Sequence, residues 1–234
     1  MADLTGDGQA DLFTACFEGG LYLLAGKGSG QFAAAVPMKD KAGTLLRLGQ
    51  YWNEKKEDWA KLTGAKYRDE HLISATPVDW DGDGDLDLVQ GSASGRFFLR
   101  KNEGTVKAPA FAVESERFDN RDEPITVPGG HCMPVVVDWD RDGQLDLISG
   151  SGEGGVHWWR NEGKKGKPRF PHCRQLLAPS SKKPGEPGIR TQVAVADFDD
   201  DGDLDLLVGD CHIVEKEGGG DSEWHGYVWV QRRQ

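Results

Sequence analysis

A nine-residue pattern of aspartate and glycine occurs four times in this chain, and it limits the fold more than any other feature. It runs Asp3 to Asp11, Asp79 to Asp87, Asp138 to Asp146 and Asp197 to Asp205, with starts 76, 59 and 59 residues apart. Two equal spacings point to one structural unit used repeatedly, and such a period implies stacked units that bury their faces against neighbours.

The flanks repeat with the motif. Short apolar runs lead into it at Thr76–Val78, Pro134–Val137 and Val193–Ala196. Behind it come Leu88-Val89, Leu147-Ile148 and Leu206-Leu207, each followed by a glycine (Gly91, Gly150, Gly209). A third run begins at Gly20, Gly95, Gly155 and Gly226, and a fourth near Phe32, Phe111 and Phe170. The runs are short, rich in β-branched and aromatic residues and bounded by glycine, so they read as strands, and none has helical spacing. The predicted fold is all-β: a β-propeller of four-stranded antiparallel blades, about four in this chain, with the aspartate loop between the first and second strands of each. The units fall at about 1–70, 71–129, 130–188 and 189–234, as a single array over 1–234. Two insertions interrupt it, at about 51–67 and 211–225, and in the first Glu57–Leu62 could form a short helix.

Composition narrows the function. The 32 glycines suit many tight turns between short strands. A formal charge of −11 argues against nucleic acid and against anionic membrane surfaces. No apolar run is long enough to span a membrane. Met1 to Leu4 does not read as a leader, although an exported protein could have lost one. The cysteines Cys16, Cys132, Cys173 and Cys211 form no CxxC pair, their spacing assigns no disulfide, and the plain reading is four small, mostly buried thiols.

The loop chemistry suits a hard cation. Calcium takes six to eight oxygen ligands in flexible geometry. Carboxylates at positions 1, 3, 5 and 9 can wrap one, position 7 can offer its carbonyl, and glycine at position 6 (Gly8, Gly84, Gly143, Gly202) permits a left-handed turn. Without a cation the carboxylates repel one another. The start of the pattern is shared with EF-hand loops. Those require glutamate at position 12, where this chain has Gln90, Ser149 and Val208, and they require helical flanks.

The pattern D-x-D-x-D-G-x-x-D before an apolar strand resembles the FG-GAP/VCBS repeat family, found in integrin α-subunit propellers, some fungal lectins and many exported bacterial proteins. The resemblance covers nearly the whole chain. It implies calcium at about four sites. The implied side-chain ligands are Asp79, Asp81, Asp83 and Asp87, then Asp138, Asp140, Asp142 and Asp146, then Asp197, Asp199, Asp201 and Asp205. Asp85, Gln144 and Asp203 would lend carbonyls. The first loop offers Asp3, Asp7 and Asp11 with Gln9 at position 7, but Thr5 stands at position 3, so this site is expected to be the weakest. Calcium is expected to be structural.

The first motif starts at residue 3, so the first unit lacks a leading strand, and the last unit stops after its third. The chain therefore reads as part of a larger propeller, or as a half that pairs with a second copy. In the first insertion Trp52, Trp59 and Tyr67 are candidate ligand-binding aromatics for a sugar. In the second, His212, Glu215, Glu217, Asp221, Glu223 and His225 could hold a metal or ligand. The pairs His131-Cys132, His172-Cys173 and Cys211-His212 lie at different places in their units and make no soft-metal site. Trp80, Trp139 and Trp158 read as packing residues. No nucleophile elbow, P-loop or HExxH occurs, and no catalytic residue is named. The expected function is a calcium-binding scaffold for a glycan or protein, extracellular or periplasmic. The alternative is a fragment of a calcium-dependent polysaccharide-active lyase or hydrolase.

Overall fold

The computed structural model describes residues 2–121, 123–164, 167–180, 188–214 and 223–233. No helix occurs among them, and the chain divides into two compact units, Met1–Ile125 and Thr126–Gln234. The fold is the expected all-β one, with four antiparallel blades of the β-propeller type, two in each unit.

In the first unit, β1 (Leu12–Ala15), β2 (Leu21–Leu24) and β3 (Val36–Pro37) form a three-stranded blade. Where a leading strand would lie there is one antiparallel bridge, Ala2 to Asp11. A hairpin of β4 (Gln50–Asn53) and β5 (Asp58–Lys61) follows, then the four-stranded blade β6 (Leu72–Val78), β7 (Asp87–Ser92), β8 (Phe97–Arg100) and β9 (Glu116–Arg117). A small ladder of β10 (Asp119–Asn120) and β11 (Glu123–Pro124) ends the unit. Leu21, Leu46, Leu72, Leu88, Phe98 and Phe111 make a common core between the two blades.

In the second unit, β12 (Met133–Val137), β13 (Asp146–Gly150), β14 (Val156–Trp159) and β15 (Cys173–Leu177) form a four-stranded blade. The last blade has β16 (Ile189–Ala196) against β17 (Asp205–Val214), which pairs with both β18 (Glu223–His225) and β19 (Val228–Gln231). Apolar faces of the two blades meet through Trp139, Ile148, Val156 and Trp158 on one side and Leu206 and Val208 on the other. Trp80, Trp139 and Trp158 are buried, as their packing role requires. The alternation of buried and exposed residues along β16 is the period-two signature of a sheet with one covered face.

Two expectations need correction. The segment Glu57–Leu62 is no helix: Asp58–Lys61 is a strand, and Trp59 lies directly opposite Trp52. Charged residues give this stretch helix-forming composition, but the cross-strand tryptophan pair and the turn before it win. The cysteines are also less buried than expected. Cys132 is buried, Cys16 and Cys211 are half-buried, Cys173 is exposed, and no disulfide joins any two of the four.

The turn before β5 places Glu57 at φ 50°, in the left-handed region. Glycine adopts that region without the Cβ penalty. Glu57→Gly is therefore expected to stabilise the protein by about 1 kcal/mol, which a urea titration can measure.

Candidate metal loops and aromatic surfaces

The four aspartate loops share one internal scaffold. The position 1 carboxylate folds the loop over itself. Asp3 accepts Gly6 N–H at 2.7 Å and Gly8 N–H at 2.8 Å, and Asp79 accepts Gly82 N–H at 2.6 Å and Gly84 N–H at 3.1 Å. Asp138 accepts Gly143 N–H and Asp197 accepts Gly202 N–H, both at 2.9 Å. Position 5 closes a smaller turn: Asp7, Asp83, Asp142 and Asp201 each accept the N–H two residues on. The position 6 glycines have φ between 85° and 96°, and a Cβ on Gly84, Gly143 or Gly202 would meet nothing within 4 Å. Conformation, not space, thus demands glycine there.

Position 9 has a different role. Asp11, Asp87, Asp146 and Asp205 are all buried. Asp146 accepts Trp139 N–H at 3.3 Å, the Trp158 indole N–H at 3.0 Å and Asn161 N–H at 2.7 Å. Asp87 accepts Asn102 N–H at 2.7 Å, Asp11 accepts Leu4 and Gly26 N–H, and Asp205 accepts Phe198 and Arg233 N–H. Asn102 and Asn161 continue the strap, each accepting two N–H groups from the turn that follows. Position 9 therefore ties the loop to the far end of its blade.

Three loops bring carboxylates together. Oxygens of Asp79, Asp81 and Asp83, of Asp138, Asp140 and Asp142, and of Asp197, Asp199 and Asp205 each lie within 4.8 Å of one another. Among the described residues the first loop makes no such group, since Thr5 replaces the position 3 carboxylate. The Thr5 hydroxyl and Asp140 Oδ1, which share position 3 of their loops, are buried without a hydrogen-bond partner. Electrostatics add to this. Burial, then the charges of Asp83, Asp81 and Asp79, push the Asp85 carboxyl up. Burial pushes Asp87 up to about 6 and also raises Asp146, against the N–H bonds that oppose it. An all-oxygen donor set with orphaned lone pairs and mutually repelling charges fits a hard divalent cation.

The insertion aromatics separate. Trp52 and Trp59 pack edge to face at 5.6 Å on the hairpin, joined by Phe17 at 6.0 and 5.6 Å and by His71, whose ring is 4.6 Å from Trp59. Phe17 is 70% exposed and Trp59 39%. Tyr67 instead lies 4.9 Å from Phe98 against the core, its hydroxyl accepting Arg117 N–H. Phe17 and His71 escaped the sequence reading because they sit in separate strands and turns. The one available signal was a phenylalanine in a turn beside Gly19 and Gly20.

The second unit holds a cavity of about 590 Å³ lined by Arg190, Gln192, Asp210, Trp224, Tyr227 and Val228 among others. Asp210 is its carboxylate, with a fully covered side chain. Burial alone would raise its pKa. Gly188 N–H, the Trp229 indole and Tyr227 N–H, with His212 at 3.3 Å, outweigh that and hold the carboxyl below the usual range. Of the second-insertion candidates, His212, Glu223 and His225 lie on β17 and β18, while Glu215, Glu217 and Asp221 lie outside the described residues.

Residues 138–208, from the third loop to β17 of the last blade, match the FG-GAP-like repeat family model. Among curated proteins none matches the chain in sequence. No helix is long and apolar enough to cross a membrane.

Proposed function

From the premise that this chain is an FG-GAP repeat propeller scaffold, we propose that its aspartate loops bind calcium as a structural ion and that the scaffold presents an aromatic surface to a glycan. The observation that supports the calcium reading is a triad of converging carboxylates in three successive loops, from positions 1, 3 and 5 in the second and third loops and from positions 1, 3 and 9 in the fourth. Positions 1 and 3 supply charge in all three, joined by position 5 in the second and third loops and by the buried position 9 in the fourth, and position 7 adds a carbonyl. The first loop, with Thr5, is the weakest of the four. Four ions would bring +8 to a chain whose formal charge is −11. Repeats of this type with exposed, separately ligated loops suit the calcium levels found outside the cytoplasm, where modules bind at about 10⁻⁴–10⁻³ M.

The glycan reading rests on the exposed rings of Phe17 and Trp59, whose faces suit the apolar face of a sugar ring. A hydrolase or lyase would need an available acid or base. The cavity carboxylate of Asp210 already accepts Gly188 N–H, Tyr227 N–H and the Trp229 indole. Calorimetry with calcium against the chelated protein tests the first claim, and absence of binding at millimolar calcium would overturn it. A glycan array with wild type and Trp59→Ala tests the second. Binding that Trp59→Ala abolishes supports it. An array with no hits, or capture of a protein ligand instead, overturns it.

A further inference from the structure

The three carboxylate triads are not equivalent, because cationic side chains reach only two of them. Arg160 follows directly on β14, the third strand of its blade. Its Nε lies 2.6 Å from Asp140 Oδ2 and its Nη2 2.9 Å from Asp142 Oδ2, so one guanidinium spans positions 3 and 5 of the third loop. Arg232 holds the matching place after β19, and its Nε is 3.4 Å from Asp199, position 3 of the fourth loop. Arg141 also reaches the fourth loop, pairing with Asp203 at 3.0 Å. In the second loop the matching residue after β8 is Lys101, and no ion pair to Asp79, Asp81 or Asp83 occurs among the described residues. In the first loop the place is held by Ala25.

We propose that Arg160 is a tethered counter-cation that holds the third loop together when no metal is bound and sets its calcium affinity below that of the second loop. This rests on the calcium reading above. The ion and the guanidinium draw on the same two carboxylates. Entering calcium must either displace Arg160, forfeiting its ion pairs, or share Asp140 and Asp142 with it against like-charge repulsion, and either way binding costs free energy. Asp140 Oδ1, buried and without a partner, is the oxygen the guanidinium leaves to the ion. The same positive charge relieves repulsion among Asp138, Asp140 and Asp142 in the ion-free state. Arg232, at a longer distance and on one carboxylate, does the same more weakly in the fourth loop. The second, third and fourth loops thus form a graded series built on one motif, and the difference between the second and third lies in the residue after the third strand, outside the nine.

The test is a calcium titration of the full chain followed by NMR. The amides of Gly143 and Gly84, which donate to Asp138 and Asp79, report the third and second loops separately. In wild type the Gly84 midpoint should fall at lower calcium than that of Gly143. In Arg160→Gln the Gly143 midpoint should drop by about tenfold while Gly84 stays put, and Arg160→Lys should lie between. A merely structural arginine predicts the reverse, a weaker third loop once the bridge is lost. An unchanged or raised Gly143 midpoint in Arg160→Gln overturns the proposal and leaves calcium binding intact. If neither amide responds up to about 10 mM calcium, above the range of extracellular modules, the calcium reading falls with it.

Discussion

Chelation is expected to lower the melting temperature by on the order of 15–30 °C relative to the calcium-saturated protein. The reasoning is mass action. An ion bound only by the folded state adds about 2.7 kcal/mol at a hundredfold excess over its dissociation constant. Three well-formed carboxylate triads then give about 8 kcal/mol. A chain of this size shifts by about 2–4 °C for each kcal/mol. Calorimetric scans with calcium and with a chelator measure the difference directly. A shift of only a few degrees would mean that fewer than three loops hold an ion, or that they hold it weakly.

The second large effect separates metal ligation from architecture inside one loop. Asp142 and Asp146 are positions 5 and 9 of the third loop. Asp142 is partly exposed, and its carboxylate serves a local turn and Arg160. Asp146 is fully buried and accepts two backbone N–H groups and an indole N–H. Each donor left unsatisfied in the interior costs about 1–3 kcal/mol, partly offset by removal of a carboxylate that burial has already penalised. Asp146→Ala is therefore expected to destabilise by about 3–5 kcal/mol with or without calcium. Asp142→Ala should cost under about 1 kcal/mol in chelator and about one ion's share, 2.7 kcal/mol, in calcium. Paired urea titrations in the two conditions give all four values. Equal behaviour of the two variants would show that position 9 is an ordinary ligand.

The blades were legible because two periodicities coincide: apolar runs of strand length and a loop whose aspartate and glycine positions recur. The Trp80, Trp139 and Trp158 packing roles followed from alignment between units. What stayed hidden depended on contacts between distant residues. The strand Asp58–Lys61 reads as a helix until Trp52 is known to face Trp59. Tyr67 counted with those tryptophans by proximity in sequence, while its ring belongs to the core around Phe98. Arg160 looked like an ordinary charge after a strand, because nothing in its neighbours says that it reaches back to Asp140 and Asp142. The left-handed backbone at position 4 went unread, since glycine occupies it at Gly6 and Gly82 but Arg141 and Asp200 adopt it too, with φ of 62° and 58°.

The strap from Asp146 through Asn161 to Gly163 bears on how such a blade can diverge after duplication. Everything it needs lies at position 9 and in the turn behind the third strand, while positions 1, 3 and 5 lie outside it. A substitution at position 3 therefore leaves the strap, and with it the blade, in place. The first unit shows this: Thr5 stands at position 3, yet Asp11 accepts Leu4 and Gly26 N–H as its counterparts accept theirs. On the calcium proposal, such copies can differ widely in metal affinity while keeping one architecture.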